Sequence, residues 1–216
     1  MDRRPFDGVV FDLDGVLTDT AHYHFLAWKR LADSLNIPFD EAANEHLKGI
    51  DRMGSLDLIL GSTAPLYSRE KKIALAEQKN LHYQQLIATM SPADLLPGAL
   101  DALHAVRSSG LKTGLASVSK NAYAVLESLG ITALFDDIVD AAKIVKSKPD
   151  PEIFRTAAMH LHLEPSRCLG VEDSIAGIRS IKSAGMTALG VGDPAILSEA
   201  DQVIPGLDAF SLSDFC

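Results

Sequence analysis

Two aspartates near the start of the chain, Asp12 and Asp14, directly follow the apolar run 8–11 and are separated by one residue. If the run is a buried strand that stays extended for two more residues, both carboxylates lie on the same side of it. Carboxylates that close repel each other, and either a bound cation or a shared proton relieves the repulsion. The pair is therefore a candidate nucleophile with an acid or base beside it, or a pair of metal ligands.

The order Asp-x-Asp-Gly also begins a calcium-binding loop, which is one alternative for this motif. Such a loop needs a bidentate Glu at its twelfth position and a helix before it. Counting from Asp12, the twelfth residue is Tyr23, and the preceding segment has the composition of a strand. A plain surface turn is the other alternative, although acids that follow a buried strand of a parallel sheet occupy the edge where ligands bind.

Three later apolar runs also end in groups that suit an anionic ligand. The run that ends at 116 is followed by Ser-Val-Ser-Lys-Asn, whose hydroxyl and backbone N–H groups can hold a phosphate at the start of a helix. Lys148 follows a short strand, and Glu172 with Asp173 follows the run 168–171. Each signal has an ordinary alternative: the serine and Asp173 are good helix caps, and a lysine in a loop is usually solvated.

Strands and helices alternate along most of the chain, and these elements must position the polar groups. The pattern predicts strands at 8–11, 112–116, 137–139, 168–171, 187–191 and 202–204. It predicts helices between them at 99–109, 120–129, 151–161 and 175–184. Short runs of consecutive apolar residues are typical of strands buried on both faces of a parallel sheet. The alternation predicts right-handed crossovers and an α/β fold with a Rossmann-like parallel sheet.

Residues 19–91 differ, because they have helical periodicity and almost no strand signal. The pattern predicts helices near 20–35, 40–47, 52–60 and 69–89, the first of them capped by Asp19 or Thr20. We therefore predict an α/β core of residues 1–18 and 92–216, and an all-helical cap domain of residues 19–91 inserted after the first strand. Such an insertion lies over the ligand-binding edge of the sheet and can act as a lid.

Composition narrows the classes of partner. The chain has 216 residues, of which 47% are hydrophobic and 23% charged, and a formal net charge of −9. That charge argues against nucleic acid as a partner, because phosphate backbones are bound by clustered Lys and Arg. No apolar run approaches the roughly 18 residues that a membrane span needs. The two cysteines form no Cys-x-x-Cys pair, which argues against a cysteine zinc site. We expect a cytoplasmic monomer with a small-molecule partner and no membrane partner.

In chain order, the four strand ends carry Asp-x-Asp, Ser, Lys and Glu-Asp. This order, which spans the whole core, resembles the haloacid dehalogenase superfamily. The resemblance implies a Mg²⁺ cofactor, with Asp12 as the nucleophile on phosphorus and Asp14 as general acid and base. It implies that Ser117 binds the transferring phosphoryl group and that Lys148 neutralises charge around Asp12. The metal ligands that it implies are Asp12, Asp14 through its backbone carbonyl, Glu172 and Asp173.

Elementary electrostatics agrees with these roles. A carboxylate that attacks a phosphate dianion is repelled by it, and a divalent metal and a lysine offset that repulsion.

Within the cap, Thr20, His24 and Trp28 are spaced four apart and form one stripe on a helix. Simple packing is the alternative for that stripe. Arg52 can make a forked contact to a phosphate, or can be solvated.

These cap residues and the core motifs resemble the β-phosphoglucomutase family within that superfamily. The matching stretches are 11–20, 24–28, 47–55, 115–121, 147–154 and 171–178. The resemblance implies that Thr20 and His24 couple lid closure to Asp14. The residues that it implies contact the sugar phosphate are Trp28, Gly49, Arg52, Ser55, Lys79, Ser117, Val118, Ser119, Lys120 and Asn121.

The implied reaction interconverts β-D-glucose 1-phosphate and glucose 6-phosphate through a phosphorylated Asp12. β-Glucose 1,6-bisphosphate would be the priming intermediate, and lid closure would exclude water so that a sugar hydroxyl accepts the phosphoryl group. The main alternative is a sugar-phosphate or phosphoglycolate-type phosphatase with the same core. A binding or regulatory protein that kept the fold is a second alternative, which the intact set of polar groups disfavours.

Overall fold

The computed structural model describes residues 6–47 and 50–215. The chain divides into two compact units, one of Met1–Asp19 with Met90–Cys216 and the other of Thr20–Thr89. The two boundaries between the units, after Asp19 and after Thr89, lie one and two residues from the boundaries expected from sequence. The described residues contain no helix long and apolar enough to cross a membrane.

The first unit is built on a six-stranded parallel sheet, as the sequence predicts. Its strands are β1 (Gly8–Phe11), β2 (Lys112–Leu115), β3 (Asp137–Ile138), β4 (Cys168–Glu172), β5 (Thr187–Val191) and β6 (Gln202–Ile204). Their order across the sheet is β3-β2-β1-β4-β5-β6. β1 is central, and its last residue, Phe11, pairs with Leu115 of β2 and with Val171 of β4. The carboxyl ends of these three strands therefore meet.

Helices connect the strands and supply the apolar layers. They are α5 (Ala99–Ser108), α6 (Ala122–Ser128), α7 (Glu152–His160) and α8 (Ile175–Ala184). The helices α1 to α4 precede them in the chain and belong to the second unit. In α7, Ile153, Phe154, Ala157 and Ala158 are buried, which is one face of an amphipathic helix. They share an apolar cluster with Val10 of β1 and with residues of α8. This packing fixes the starts of α7 and α8 near the strand ends.

The second unit is helical throughout the part that the structure describes. It contains α1 (Ala21–Ser34), α2 (Glu41–Glu45), α3 (Arg52–Leu60) and α4 (Arg69–Ile87), with a short 3₁₀ segment at Gly61–Leu66. Asp51 and Ser68 cap α3 and α4 through their side chains. Thr20 occupies the N-cap position of α1, but its side chain makes no capping hydrogen bond, so Thr20 is not the side-chain cap that the sequence offered as one of two candidates. The unit has its own apolar core, which includes Trp28 and Leu56.

Candidate active site

Asp12 lies directly after β1, at the centre of the sheet. Its backbone N–H donates to the carbonyl oxygen of Val171 at 2.9 Å, so the strand geometry continues through this residue. The side chain of Lys148 reaches it from another loop and donates to Asp12 Oδ1 at 2.6 Å and to Glu172 Oε2 at 2.7 Å. The lysine ammonium thus lies between two buried carboxylates that come from different strands.

Negative charge exceeds positive charge around this lysine. Burial raises the pKa of Asp12 well above its ordinary value, and Glu172 raises it further, while Lys148 opposes both. Burial alone would lower the pKa of Lys148, but Asp12 and Glu172 outweigh it and raise that pKa above its ordinary value. Asp14, two residues further along the chain, also raises the pKa of Asp12. Lys148 therefore stays protonated, and one ammonium faces several carboxylates.

The same carboxylates suit a divalent cation. Asp12, Glu172 and Asp173 each offer an oxygen, and these oxygens lie within 4.8 Å of one another. Desolvation raises the pKa of Asp173 to about 7, and the neighbouring Glu172 adds to the effect. Magnesium prefers carboxylate and other oxygen ligands, and its charge would offset the repulsion within this group. The donor set therefore fits Mg²⁺.

Two glycines let the acidic side chains approach each other. A Cβ on Gly15, whose φ is +77°, would lie 2.0 Å from Asp173 Oδ2, and a Cβ on Gly177 would lie 1.9 Å from Glu172 Cδ. Ser174 then fixes Glu172, because its hydroxyl donates to Glu172 Oε1 at 2.6 Å. The same hydroxyl accepts from Gly177 N at 3.1 Å and caps α8. Ser174, at the start of α8, thus fixes the Glu172 carboxylate, which in turn accepts a hydrogen bond from Lys148.

The loop after β2 brings hydroxyl groups to the same edge. Because Phe11 pairs with Leu115, Ser117 lies one residue beyond the position opposite Asp12. Ser117 is buried, and its Oγ accepts from Ser119 N at 3.1 Å. The predicted phosphate-binding residues Ser117, Val118, Ser119, Lys120 and Asn121 precede α6, with Ser117 and Asn121 buried and Val118 and Lys120 exposed.

The second unit contains a separate polar cluster around Lys79 of α4. Its Nζ donates to Nδ1 of His24 at 2.7 Å and lies over the rings of Trp28 and Tyr83, at 4.6 Å and 4.8 Å from their centroids. The ring of His24 stacks on Tyr83 with 4.1 Å between centroids. Within this unit, α1 and α4 therefore bring together three residues that the sequence singled out, together with Tyr83.

This cluster is strongly desolvated. Burial, with Arg52 as the second cause, lowers the pKa of Lys79 to about 7. Burial lowers the pKa of His24 to about 3, with further contributions from Lys79 and then Arg52, so this histidine is neutral. Arg52 Nη2 donates to Asn80 Oδ1 at 2.8 Å. Ser55 is buried in α3, and Thr20 is buried before α1.

A family model described as haloacid dehalogenase-like hydrolase matches residues 6–185. The chain belongs to this family. A curated relative, β-phosphoglucomutase from Bacillus subtilis (strain 168), is 49% identical over 198 residues, which cover 91% of this chain and 88% of the relative. A phosphorylated carbohydrates phosphatase from Thermotoga maritima is 30% identical over 183 residues, 83% of this chain and 82% of that protein.

The fold comparison agrees with this membership. The crystal structure of a β-phosphoglucomutase from Clostridium difficile matches with a TM-score of 0.91 and 44% identity, and covers 97% of this chain and 95% of that chain. The resemblance to haloacid dehalogenase-like proteins, drawn from four strand ends, is thereby confirmed, as is the α/β fold with a helical insertion after β1.

The predicted site residues have different outcomes within this family fold. Asp12, Lys148, Glu172 and Asp173 are brought together. Trp28 belongs to the apolar core of the helical unit, as the packing alternative expects, and Lys79 Nζ lies over its ring. Gly49 lies outside the described residues. The roles of all the predicted site residues in substrate binding and catalysis stay predictions.

Sequence reasoning missed the partners of the predicted residues. Tyr83 lies four residues after Lys79 on α4, a spacing that could have indicated one helix face. Asn80 beside Arg52, and Ser174 beside Glu172, gave no comparable signal, because polar residues in a helix or at a helix start are common. Glu152, which contacts the loop that carries Lys148, was also missed.

Proposed function

We propose that this protein is a Mg²⁺-dependent sugar phosphate mutase that interconverts β-D-glucose 1-phosphate and glucose 6-phosphate. The observation that carries the proposal is the buried Asp12 carboxylate at the end of β1, with Lys148 bonded to it at 2.6 Å and a cation-binding set of acids beside it. The identity of 49% with the B. subtilis β-phosphoglucomutase supports the choice of reaction.

In the proposed reaction, a carboxylate oxygen of Asp12 forms a bond to phosphorus as the bond from phosphorus to the sugar oxygen breaks. Asp14 donates a proton to that leaving oxygen, and later removes the proton of the sugar hydroxyl that attacks the aspartyl-phosphate. Separate environments let two nearby carboxylates divide these tasks. β-Glucose 1,6-bisphosphate is the proposed intermediate and primes the enzyme by phosphorylating Asp12.

Lys148 offsets the charge that builds up when one anion attacks another. Asp12, Glu172, Asp173 and the backbone carbonyl of Asp14 would hold Mg²⁺, which when bound offsets negative charge on the transferring phosphoryl group. The hydroxyl and N–H groups of residues 117–121 would bind the oxygens of that group.

The helical unit would act as a cap that selects the acceptor. Arg52, with Trp28, Gly49, Ser55 and Lys79, would contact the sugar phosphate at the end away from Asp12. Thr20 and His24 would couple closure of the cap to the position of Asp14. Closure excludes water, so that a sugar hydroxyl rather than water accepts the phosphoryl group. The partner is thus a small sugar phosphate, and the monomeric state stays a prediction.

A sugar-phosphate phosphatase is the second candidate, supported by the 30% identity with the T. maritima phosphatase. A single assay separates the two. The protein is mixed with Mg²⁺, β-glucose 1-phosphate and a trace of the 1,6-bisphosphate, and glucose 6-phosphate and inorganic phosphate are followed together. We expect glucose 6-phosphate with little free phosphate, and the same activity from the exposed variant Asp33→Asn. Release of phosphate without isomerisation would identify a phosphatase. Absence of both products would refute the proposed substrate.

A further inference from the structure

The loop that carries Lys148 is tied to the first residue of α7. Glu152 accepts a hydrogen bond from Val145 N at its Oε1 (2.9 Å) and from Lys146 N at its Oε2 (2.8 Å). The two donors lie three and two residues before Lys148. A carboxylate that accepts two N–H groups makes strong, directional bonds, because the acceptor is charged. Both oxygens of Glu152 thus face the loop.

Further bonds hold the same loop after Lys148. Asp150 Oδ1 accepts from Glu152 N at 3.0 Å, and Asp150 N donates to the carbonyl oxygen of Ser147 at 3.0 Å. Ser180 of α8, which is fully buried, donates to the carbonyl oxygen of Asp150 at 2.6 Å. The loop is therefore fixed on both sides of Lys148 by the helices that pack against the sheet.

The side chain of Lys148 needs this support. Its ammonium reaches two carboxylates at 2.6 Å and 2.7 Å while only 9% of the side chain is exposed. It also lies 5.1 Å from the ring centroid of Phe154, in the first turn of α7. A lysine has a long, flexible side chain, and a buried ion pair stabilises its charges only when the geometry is good. A shift of the loop backbone would move the ammonium away from Asp12.

We propose that Glu152 is a positioning residue, which holds the 145–148 backbone so that Lys148 stays against the Asp12 carboxylate. The inference rests on the proposed role of Lys148 in phosphoryl transfer. A role in stabilising α7 alone is the competing explanation, because acids are favoured in the first turn of a helix. The bonds to Val145 and Lys146 distinguish the two, since they leave the helix and reach the loop.

Three variants test the proposal by activity. Glu152→Gln keeps the size of the side chain but leaves one oxygen acceptor for two N–H groups. Glu152→Asp keeps the charge in the first helical turn but shortens the side chain by one methylene, so its carboxylate cannot reach both N–H groups; if position matters, this variant should lose activity too. Glu199→Gln is the control, because it removes a carboxylate bonded to Arg179 on the surface of the same unit.

We expect Glu152→Gln to lower kcat by about ten- to a hundredfold, since displacing a catalytic group by about 1 Å can cost that much. KM should change little, because the proposed phosphate contacts lie on other elements. Hydrolysis of p-nitrophenyl phosphate should fall in parallel with isomerisation, and the control should match the unmodified protein. A kcat for the Asp variant equal to that of the unmodified protein would contradict the proposal, because the charge in the first helical turn would then be sufficient.

A second measurement does not depend on activity. The folded protein is treated with acetic anhydride, and acetylation of Lys148 is compared by mass spectrometry with that of Lys143, whose side chain is 84% exposed. We expect Glu152→Gln to raise the relative labelling of Lys148 about tenfold, as for a group freed from burial. The buried Cys168 should stay unreactive to a thiol reagent.

The outcomes separate the explanations. Unchanged protection of Lys148 in Glu152→Gln would refute the positioning role, whatever happens to kcat. Simultaneous exposure of Cys168 would show general loosening of the unit and would also refute it. If the unmodified protein catalyses neither reaction, the proposed function fails, but the labelling result still decides whether Glu152 positions Lys148.

Discussion

Replacing Lys79 by methionine should make the helical unit more stable near neutral pH and remove part of its pH dependence. Lys79 is 3% exposed and lies beside His24 and over the rings of Trp28 and Tyr83. Burial, with Arg52 as the second cause, lowers its pKa from 10.5 to about 7. The folded protein thus resists protonation of a group that is fully protonated in the unfolded chain at neutral pH.

The lowered pKa of Lys79 gives the size of the stability loss. A change from 10.5 to about 7 corresponds to about 5 kcal/mol of lost stability when the amine is protonated in both states. Between pH 7 and pH 10.5 the unfolded chain binds a proton at Lys79 that the folded protein releases, so stability rises with pH. From pH 7 to pH 9 the rise should be about 2 kcal/mol. Below pH 7 this contribution is constant, because both states are protonated.

Urea unfolding at pH 7, 8 and 9 would measure this effect. The chain has one tryptophan, Trp28, and it lies in the core of the helical unit, so its fluorescence reports the unfolding of that unit. Lys71→Met is the matched control, because Lys71 is an exposed lysine on the same helix. Other titrating groups are common to all three proteins, and the difference between the variants isolates Lys79.

We expect the unmodified protein and Lys71→Met to gain about 2 kcal/mol more than Lys79→Met between pH 7 and pH 9. At pH 7, Lys79→Met should be more stable, by less than the full pKa effect, because it loses the bond to His24 and about 0.5–2 kcal/mol of cation–π attraction. The reasoning is refuted if Lys79→Met keeps the pH dependence of the unmodified protein.

Three further variants test the core and the cap. Asp12→Asn should abolish both isomerisation and hydrolysis of p-nitrophenyl phosphate, since an amide is a poor nucleophile; unchanged turnover would exclude Asp12 as the nucleophile. Arg52→Ala should raise KM for the bisphosphate about tenfold or more, as for a lost charged contact, while hydrolysis of p-nitrophenyl phosphate changes little; equal losses would argue against a phosphate contact. Gly177→Ala should lower kcat about tenfold or more, because its Cβ would lie 1.9 Å from Glu172 Cδ and force that carboxylate away from Lys148. Normal kinetics for that variant would show that Glu172 can move without consequence.

The sheet could be predicted from the sequence because parallel strands buried on both faces leave consecutive apolar residues. The run 8–11 became β1 with its predicted limits, whereas 112–116 ends as β2 one residue earlier. Helix ends were less accurate, since α6 begins at Ala122 rather than at 120. The 3₁₀ segment Gly61–Leu66 was missed, because Gly61 and Pro65 are residues typical of a loop.

The core site was predictable for a related reason. The ends of parallel strands meet at one edge, so Asp12, Glu172 and Asp173 had to be neighbours if the strands were adjacent. The support of Lys148 by Glu152 was not predictable in this way. It depends on how an irregular loop turns back to the first residue of a helix, and neither apolar periodicity nor residue type records that turn.

The two buried lysines show why residue type alone does not assign a role. Lys148 lies between two carboxylates, which outweigh the effect of burial and keep its ammonium charged. Lys79 lies beside a neutral histidine and two aromatic rings, with Arg52 as the charge that acts on it, and its pKa falls to about 7. The first can therefore offset charge at any physiological pH. The second is destabilising in its charged form, and methionine would fill the same space at lower free energy. A buried ionisable group with a perturbed pKa is a candidate for a ligand contact, and that role for Lys79 stays a prediction.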